Sequence, residues 1–141
     1  MAQPEASFAE MAERHSRSDV STSFVLFNEA DAAGTIGAFF ENSGSGRAFI
    51  CALWVDPELR GSSAARDLLG AAVDWFAARK AAECFAWVAD SNARAIAFYR
   101  KSGFVPTGET QALPSQVSQQ ETLWRLRVTG PELAEFRRPQ D

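Results

Sequence analysis

A chain of 141 residues, 46% hydrophobic and 23% charged, has the length of one domain and the composition of a folded one, so 1–141 is expected as a single domain. Its net charge of −4 without any basic block argues against a nucleic-acid partner, and no apolar run approaches the ~20 residues that a membrane span needs. His15 is the one histidine and there is no Cys-x-x-Cys pair, so no metal site is expected.

The opening MAQPEASFAEMAERHSRSD lacks the apolar core of a secretory signal, which makes the cytoplasm the expected compartment. Residues 5–16 place Phe8, Met11, Ala12 and His15 on one stripe and predict a short helix. The β-branched and aromatic run 23–28 and the run 35–41, joined by 29–34, predict an antiparallel hairpin with Gly34 supplying the turn chemistry. After a turn at 42–47, the run 48–55 (AFICALWV) is apolar on consecutive positions, which predicts a central strand buried on both faces. Beyond Pro57, the residues Ala65, Leu68, Leu69, Ala72, Val73 and Phe76 recur at helical spacing and predict a helix over 63–80.

A second buried strand is expected at 84–89, then a helix over 92–102 capped by Ser91 or Asn92 and closed by Gly103. Strands 104–109 and 121–128, joined by a Gln/Ser/Pro loop at 111–120, complete the sheet, and the tail 129–141 is expected to fray. Strand 48–55, helix 63–80 and strand 84–89 form a crossover unit, right-handed with its strands parallel. Cys51 and Cys84, each inside an apolar run, are expected as buried free thiols of the core.

One loop is stripped of side chains. In 60-RGSSAA-65 an Arg precedes five residues no larger than Ser, just where a strand hands over to a helix. A helix start carries unpaired N–H groups and positive dipole, so small residues there let an anion reach the backbone. The plainer reading is that Ser62 or Ser63 caps the helix and the alanines favour helix formation.

Downstream, 92-NARAIAFYRKSGF-104 puts Phe98 and Tyr99 one turn before a Gly-Phe stop. The loop and this helix, in this order and spacing, resemble the GNAT N-acetyltransferase superfamily over about residues 20–128. Its members carry Arg/Gln-x-x-Gly-x-Gly/Ala between a central strand and a helix, then Asn-x-x-Ala-x-x-Phe-Tyr-x-x-x-Gly-Phe. The matches are Arg60 to Ala65, then Asn92, Ala95, Phe98, Tyr99, Gly103 and Phe104; Ser63 stands where the family usually has Gly. The resemblance implies an α/β fold with a single mixed, mostly antiparallel sheet, a central parallel strand pair splayed for coenzyme A, and helices on both faces. The strand and helix with which the family usually opens have no counterpart ahead of residues 5–16, so a homodimer is expected to complete the acceptor wall.

The activity implied is transfer of acetyl from acetyl-CoA, the cosubstrate, to an amine of a small molecule or peptide. Backbone of Arg60, Gly61, Ser62, Ser63, Ala64 and Ala65 would hold the pyrophosphate. Backbone of Leu53, Trp54 and Val55 would pair with the pantetheine arm like an added strand, an N–H near Val55 stabilising the oxyanion. Tyr99 takes the place of the general acid for the departing thiolate; without the resemblance it reads as a core aromatic beside Ile96. Asn92 caps its helix and bonds the cofactor. Glu41, at a strand end, is the first candidate for the general base, and Glu109 the second. A non-catalytic acyl-CoA-binding module is the alternative function.

Overall fold

The computed structural model describes residues 12–15, 20–41, 46–114 and 116–128. The chain divides into two compact units, Met1–Lys80 and Ala81–Asp141.

In the first unit four strands follow one another, each antiparallel to the next: β1 (Ala12–His15), β2 (Ser21–Asn28), β3 (Asp31–Phe40) and β4 (Ala48–Val55). The hairpin predicted from 23–41 is present, but its turn is two residues, Glu29 and Ala30, with Glu29 at φ 60. Gly34 therefore does not make the turn. It lies inside β3, where an added Cβ would stand 3.0 Å from Leu68 Cδ1 and 3.1 Å from the Trp54 carbonyl oxygen. The helix predicted over 5–16 is not what residues 12–15 form: they pair with β2, Ala12 opposite Val25 and His15 opposite Thr22. Four residues cannot show a period, and the free edge of β2 offers hydrogen bonds that local propensity cannot match. The rest of that stretch lies outside the described residues.

Helix α1 (Ala64–Ala78) packs on β2, β3 and β4. Two contacts fix which face of the sheet it covers. Leu68 meets Gly34, and the Phe76 ring sits edge-on to Phe40 at 5.6 Å. Gly34, Ile36, Ala38 and Phe40 therefore point at the helix, because side chains alternate along a strand. Leu68, Leu69, Ala72, Val73, Trp75 and Phe76 are buried from the helix side, and Leu26, Ile36, Ala38 and Ile50 are buried from the sheet side.

The second unit is an antiparallel sheet in the order β5 (Glu83–Ala89), β7 (Gln116–Arg127), β6 (Val105–Leu113), with helix α2 (Ala93–Lys101). The loop predicted at 111–120 is mostly strand: Gln111 pairs with Glu121, Ala112 with Gln120 and Leu113 with Gln116. Residues 105–112 are all exposed, so no buried face imposes the alternation by which a strand is recognised. Arg100 lies over the Trp124 ring at 5.4 Å, so Trp124 is on the α2 face of β7. The helix end is a Schellman motif. Phe104 N–H donates to the Tyr99 carbonyl at 2.9 Å, Gly103 N–H donates to that of Arg100 at 3.1 Å, and Gly103 holds φ 102. Tyr99 and Phe104 pack rings at 5.0 Å, the apolar contact that accompanies this stop. The tail 129–141 lies outside the described residues.

Gly34 generates a test of the α1 seat. Gly34→Ala should cost about 1–3 kcal/mol, because Leu68 can rotate away but the Trp54 carbonyl is backbone. A urea denaturation midpoint unchanged from the parent protein would show that helix and sheet are not in close contact there.

Candidate functional site

β4 is not the uniformly buried strand that eight apolar residues predict. Ala48, Phe49 and Ile50 are buried, whereas Cys51, Ala52 and Trp54 are exposed, Trp54 by 47%. A β-bulge divides the strand. The register with β3 shifts between Gly37–Cys51 and Thr35–Trp54, and Ala52 takes φ 55. The extra residue inverts which side chains face α1. Before it these are Ala48 and Ile50, opposite Phe40 and Ala38; after it, Val55, opposite Gly34. Trp54, opposite Thr35, points to the other face.

Backbone direction inverts with the side chains. Asp56 N–H donates to the Ala33 carbonyl at 2.8 Å, which makes Asp56 and Ala33 a hydrogen-bonded pair. Antiparallel ladders alternate, so Trp54 bonds to Thr35, while the N–H and C=O of Leu53 and Val55 point away from β3. Of the three residues expected to offer backbone to a ligand, Leu53 and Val55 turn theirs away from β3 and Trp54 does not. Trp54 offers its exposed indole instead.

Beyond β4, Asp56 Oδ1 accepts from Glu58 N–H at 3.0 Å and caps a short 3-10 turn, Pro57–Leu59. Asp56 thus shapes the turn. Gly61 follows at φ 88, a conformation that disfavours any side chain even though an added Cβ would meet nothing within 4 Å. The Ser62 hydroxyl donates to the Leu59 carbonyl and accepts from Ala64 N–H at 3.2 Å. Ser63 holds the N-cap position, yet its hydroxyl donates to Asp67 Oδ2 at 3.1 Å rather than capping. The backbone N–H groups of Gly61, Ser63 and Ala65 consequently find no acceptor among the described residues. Three donors at the positive end of a 15-residue helix, reached past small side chains, make a cradle of the kind that suits an anion. Arg60, exposed beside it, adds charge.

Glu41 is not brought to this end of the unit. It is paired with Arg47, Nε to Oε1 at 3.1 Å, where the β3–β4 hairpin closes. The length of β4, roughly 20 Å at ~3.3 Å per residue, separates it from Val55. Glu109 is exposed on β6. In the second unit Asn92 Oδ1 accepts from Ala95 N–H at 3.1 Å and is the cap of α2, while Tyr99 is 7% exposed. Sequence reading passed over Glu121, a carboxylate 8% exposed on β7 whose Oε2 accepts from Gln111 Nε2 at 2.6 Å. Among the described residues no cluster of ligating side chains fits a metal, and no helix is long and apolar enough to cross a membrane.

A family model described as the acetyltransferase (GNAT) family matches residues 1–104. No curated protein sequence matches. Among solved structures, a nourseothricin acetyltransferase is 27% identical, with 77% of this chain and 66% of that one covered and a TM-score of 0.69. A candidate streptothricin acetyltransferase from Bacillus anthracis, in complex with acetyl coenzyme A, is 19% identical, covering 79% and 64%, TM-score 0.69. Arabidopsis thaliana Naa50, in complex with the bisubstrate analogue CoA-Ac-MVNAL, is 24% identical, covering 74% and 71%, TM-score 0.64. The chain thus spans 66% and 64% of the length of the first two. The mixed α/β fold class expected from the sequence is the one that these structures share with it.

The two thiols should separate chemically. Cys51 is exposed, with its sulfur lodged over Gly37, 2.8 Å from where a Cβ would be, and that partial burial raises its pKa. Cys84 is buried, its pKa pushed up to about 12 by desolvation and, secondarily, by Glu83. In native protein a chromogenic disulfide reagent should titrate Cys51 alone, slowly at neutral pH and faster as pH rises beyond the ordinary thiol range. Cys84 should react only after unfolding. Equal rates for both would contradict the exposed outer half of β4.

Proposed function

Because this chain belongs to the acetyltransferase (GNAT) family, we propose that it transfers an acetyl group from acetyl-CoA to a primary amine of a small molecule or peptide, by direct attack in a ternary complex. The observation that carries the reading is the cradle of Gly61, Ser63 and Ala65 N–H groups at the start of α1. Its donors and small side chains suit a pyrophosphate, and Ser63 in place of a glycine adds only a hydroxyl.

When bound, acetyl-CoA supplies an acyl carbon already activated as a thioester. The chain's own groups then divide the remaining work. Leu53 and Val55, whose backbone points away from β3, suit pairing with an extended amide-bearing arm, and Val55 N–H suits the oxyanion of a tetrahedral intermediate. The neutral amine nitrogen attacks the carbonyl carbon, the C–S bond breaks, the nitrogen gives up its surplus proton to water, and the thiolate takes one from an acid that water then reprotonates. Tyr99 is the proposed donor: a phenol of pKa ~10 serves a thiolate of pKa ~8.5 when held in place. The Schellman stop that seats Tyr99 against Phe104 supplies that hold.

A thermal-shift titration tests the cradle first. Acetyl-CoA and free CoA should raise the melting temperature saturably, and a nucleotide without the pantetheine arm should raise it less. Gly61→Ala, forced out of φ 88, should weaken the CoA-dependent shift at least tenfold in midpoint while the unliganded protein still folds. No shift at millimolar CoA would end the acetyl-transfer reading.

Tyr99→Phe should leave the CoA shift intact and lower turnover by roughly 10²–10⁴-fold, followed as released thiol. A lower melting temperature with unchanged turnover would leave Tyr99 a packing residue only.

A further inference from the structure

Among the described residues, the large hydrophobic side chains left exposed are Val20, Trp54 and Val105, and Trp54 is the largest of them. It is outside because of the bulge in β4. Counted on from Ala48 and Ile50 in a regular strand, residue 54 would face α1, against which Ile50 is buried. The extra residue Ala52, at φ 55, sends it to the opposite face. The cost is double: apolar surface is left wet, and a non-glycine residue is held in the left-handed region. Strain of this kind collects where a ligand is handled.

The surroundings of the indole are neutral. Thr35 stands opposite Trp54 on β3 and Val25 opposite Thr35 on β2, with Gly37 and Cys51 the next pair along the same face. None of the four is charged at neutral pH. Asp56, two residues beyond Trp54, turns Oδ1 into the cap of the 3-10 turn, where it accepts from Glu58 N–H at 3.0 Å. Arg47 lies at the other end of β4, paired with Glu41.

The place of the indole matters because of how an acyl group is attacked. A thioester whose oxygen is held by Val55 N–H, on an arm paired with β4, lies with its plane near that of the sheet, as the peptide groups of an added strand do. A nucleophile reaches a carbonyl carbon from above or below that plane, and so from one face of the sheet or the other. Helix α1 packs on β2, β3 and β4 and closes one face. The face left is that of Trp54, whose 47% exposure shows it open there. We propose that Trp54 selects the acceptor, its indole receiving an apolar, flat group carried beside the reacting primary amine. The assignment rests on the acetyl-transfer reading above and uses groups of the first unit alone. A neutral aromatic wall gains most from an aromatic or aliphatic neighbour of the amine and gives a second charged group no partner.

The test compares two pairs of probe amines in the parent protein, Trp54→Ala and Trp54→Phe. One pair is 2-phenylethylamine and 1,4-diaminobutane; the other is a pentapeptide opening with phenylalanine and one opening with glycine. In the parent, kcat/KM followed as released thiol should favour the phenyl-bearing member of a pair roughly tenfold or more, and the pair that shows it tells a free amine from a peptide terminus. Trp54→Ala should remove most of that preference. Trp54→Phe, which keeps a flat ring, should retain most of it and serves as the readout if the Ala variant does not fold. The acetyl-CoA thermal shift should change little in either variant, whereas a lost fold would abolish it. No preference in either pair, a preference for the diamine as a cation–π site would give, or a preference untouched in Trp54→Ala would overturn the assignment while leaving acetyl transfer standing. A parent protein that shifts with neither CoA species and releases no thiol with any of the four amines would overturn both.

Discussion

The first unit depends on the close approach of α1 to β3 at Gly34. With no side chain there, Leu68 settles within contact distance of the strand, and the Trp54 carbonyl closes the other side. That contact sits one turn into α1, so it fixes the height of the helix start above the sheet. The same end of β3 accepts Asp56 N–H through Ala33. The loop between, residues 56–63, is thus pinned at both ends within a few residues of a glycine. Within it the N–H groups of Glu58, Leu59, Arg60 and Ser62 bond to the turn itself, and those of Gly61 and Ser63 are left without an acceptor among the described residues. Sheet and helix would pack without Gly34, but the cradle would have no defined position.

The bulge at Ala52 does the corresponding work along β4. A regular strand would have carried Phe49 and Cys51 onward to residue 53 and Val55 on the outer face. One extra residue moves Val55 to the α1 side, Trp54 to the outside, and the Val55 N–H away from β3. A non-glycine residue at φ 55 costs on the order of 1–2 kcal/mol, and the paired ladder on both sides holds it there. The consecutive apolar residues of AFICALWV record this change of phase, which periodicity alone reads as burial on both faces.

That example shows where sequence was sufficient and where it was not. Helices α1 and α2 and strand β5 were legible because each buries a one-sided or continuous apolar pattern, and because Asn92 and Gly103 mark the ends of α2 chemically. The strand at 104–109 was legible, but its continuation and return over 111–114 and 116–120 were not, since a strand as exposed as 105–112 has no apolar period to show. Gly34 was misread as a turn because glycine's conformational freedom is visible in sequence, whereas its lack of volume matters only once Leu68 is opposite. The loop of small residues at the start of α1 was legible as composition. Glu41 and Glu121 were not separable: each stands at the boundary of a strand predicted from sequence, and only the structure ties one to an arginine and buries the other beside an amide.

Asp67 shows how the start of α1 is balanced electrostatically. Unpartnered N–H groups at the positive end of a helix are an electrostatic cost, and Asp67, in the first turn, offsets the dipole while drawing the Ser63 hydroxyl to itself. Ser62 similarly takes up Ala64 N–H. The helix start is therefore balanced by its own side chains while Gly61, Ser63 and Ala65 N–H stay outside that balance. In the proposed reading a phosphate there would compete with Asp67 for the dipole and would gain Arg60 as well as the three donors. Ser63, which at first sight only crowds a glycine position, would be the hinge of that exchange, its hydroxyl leaving Asp67 for the anion.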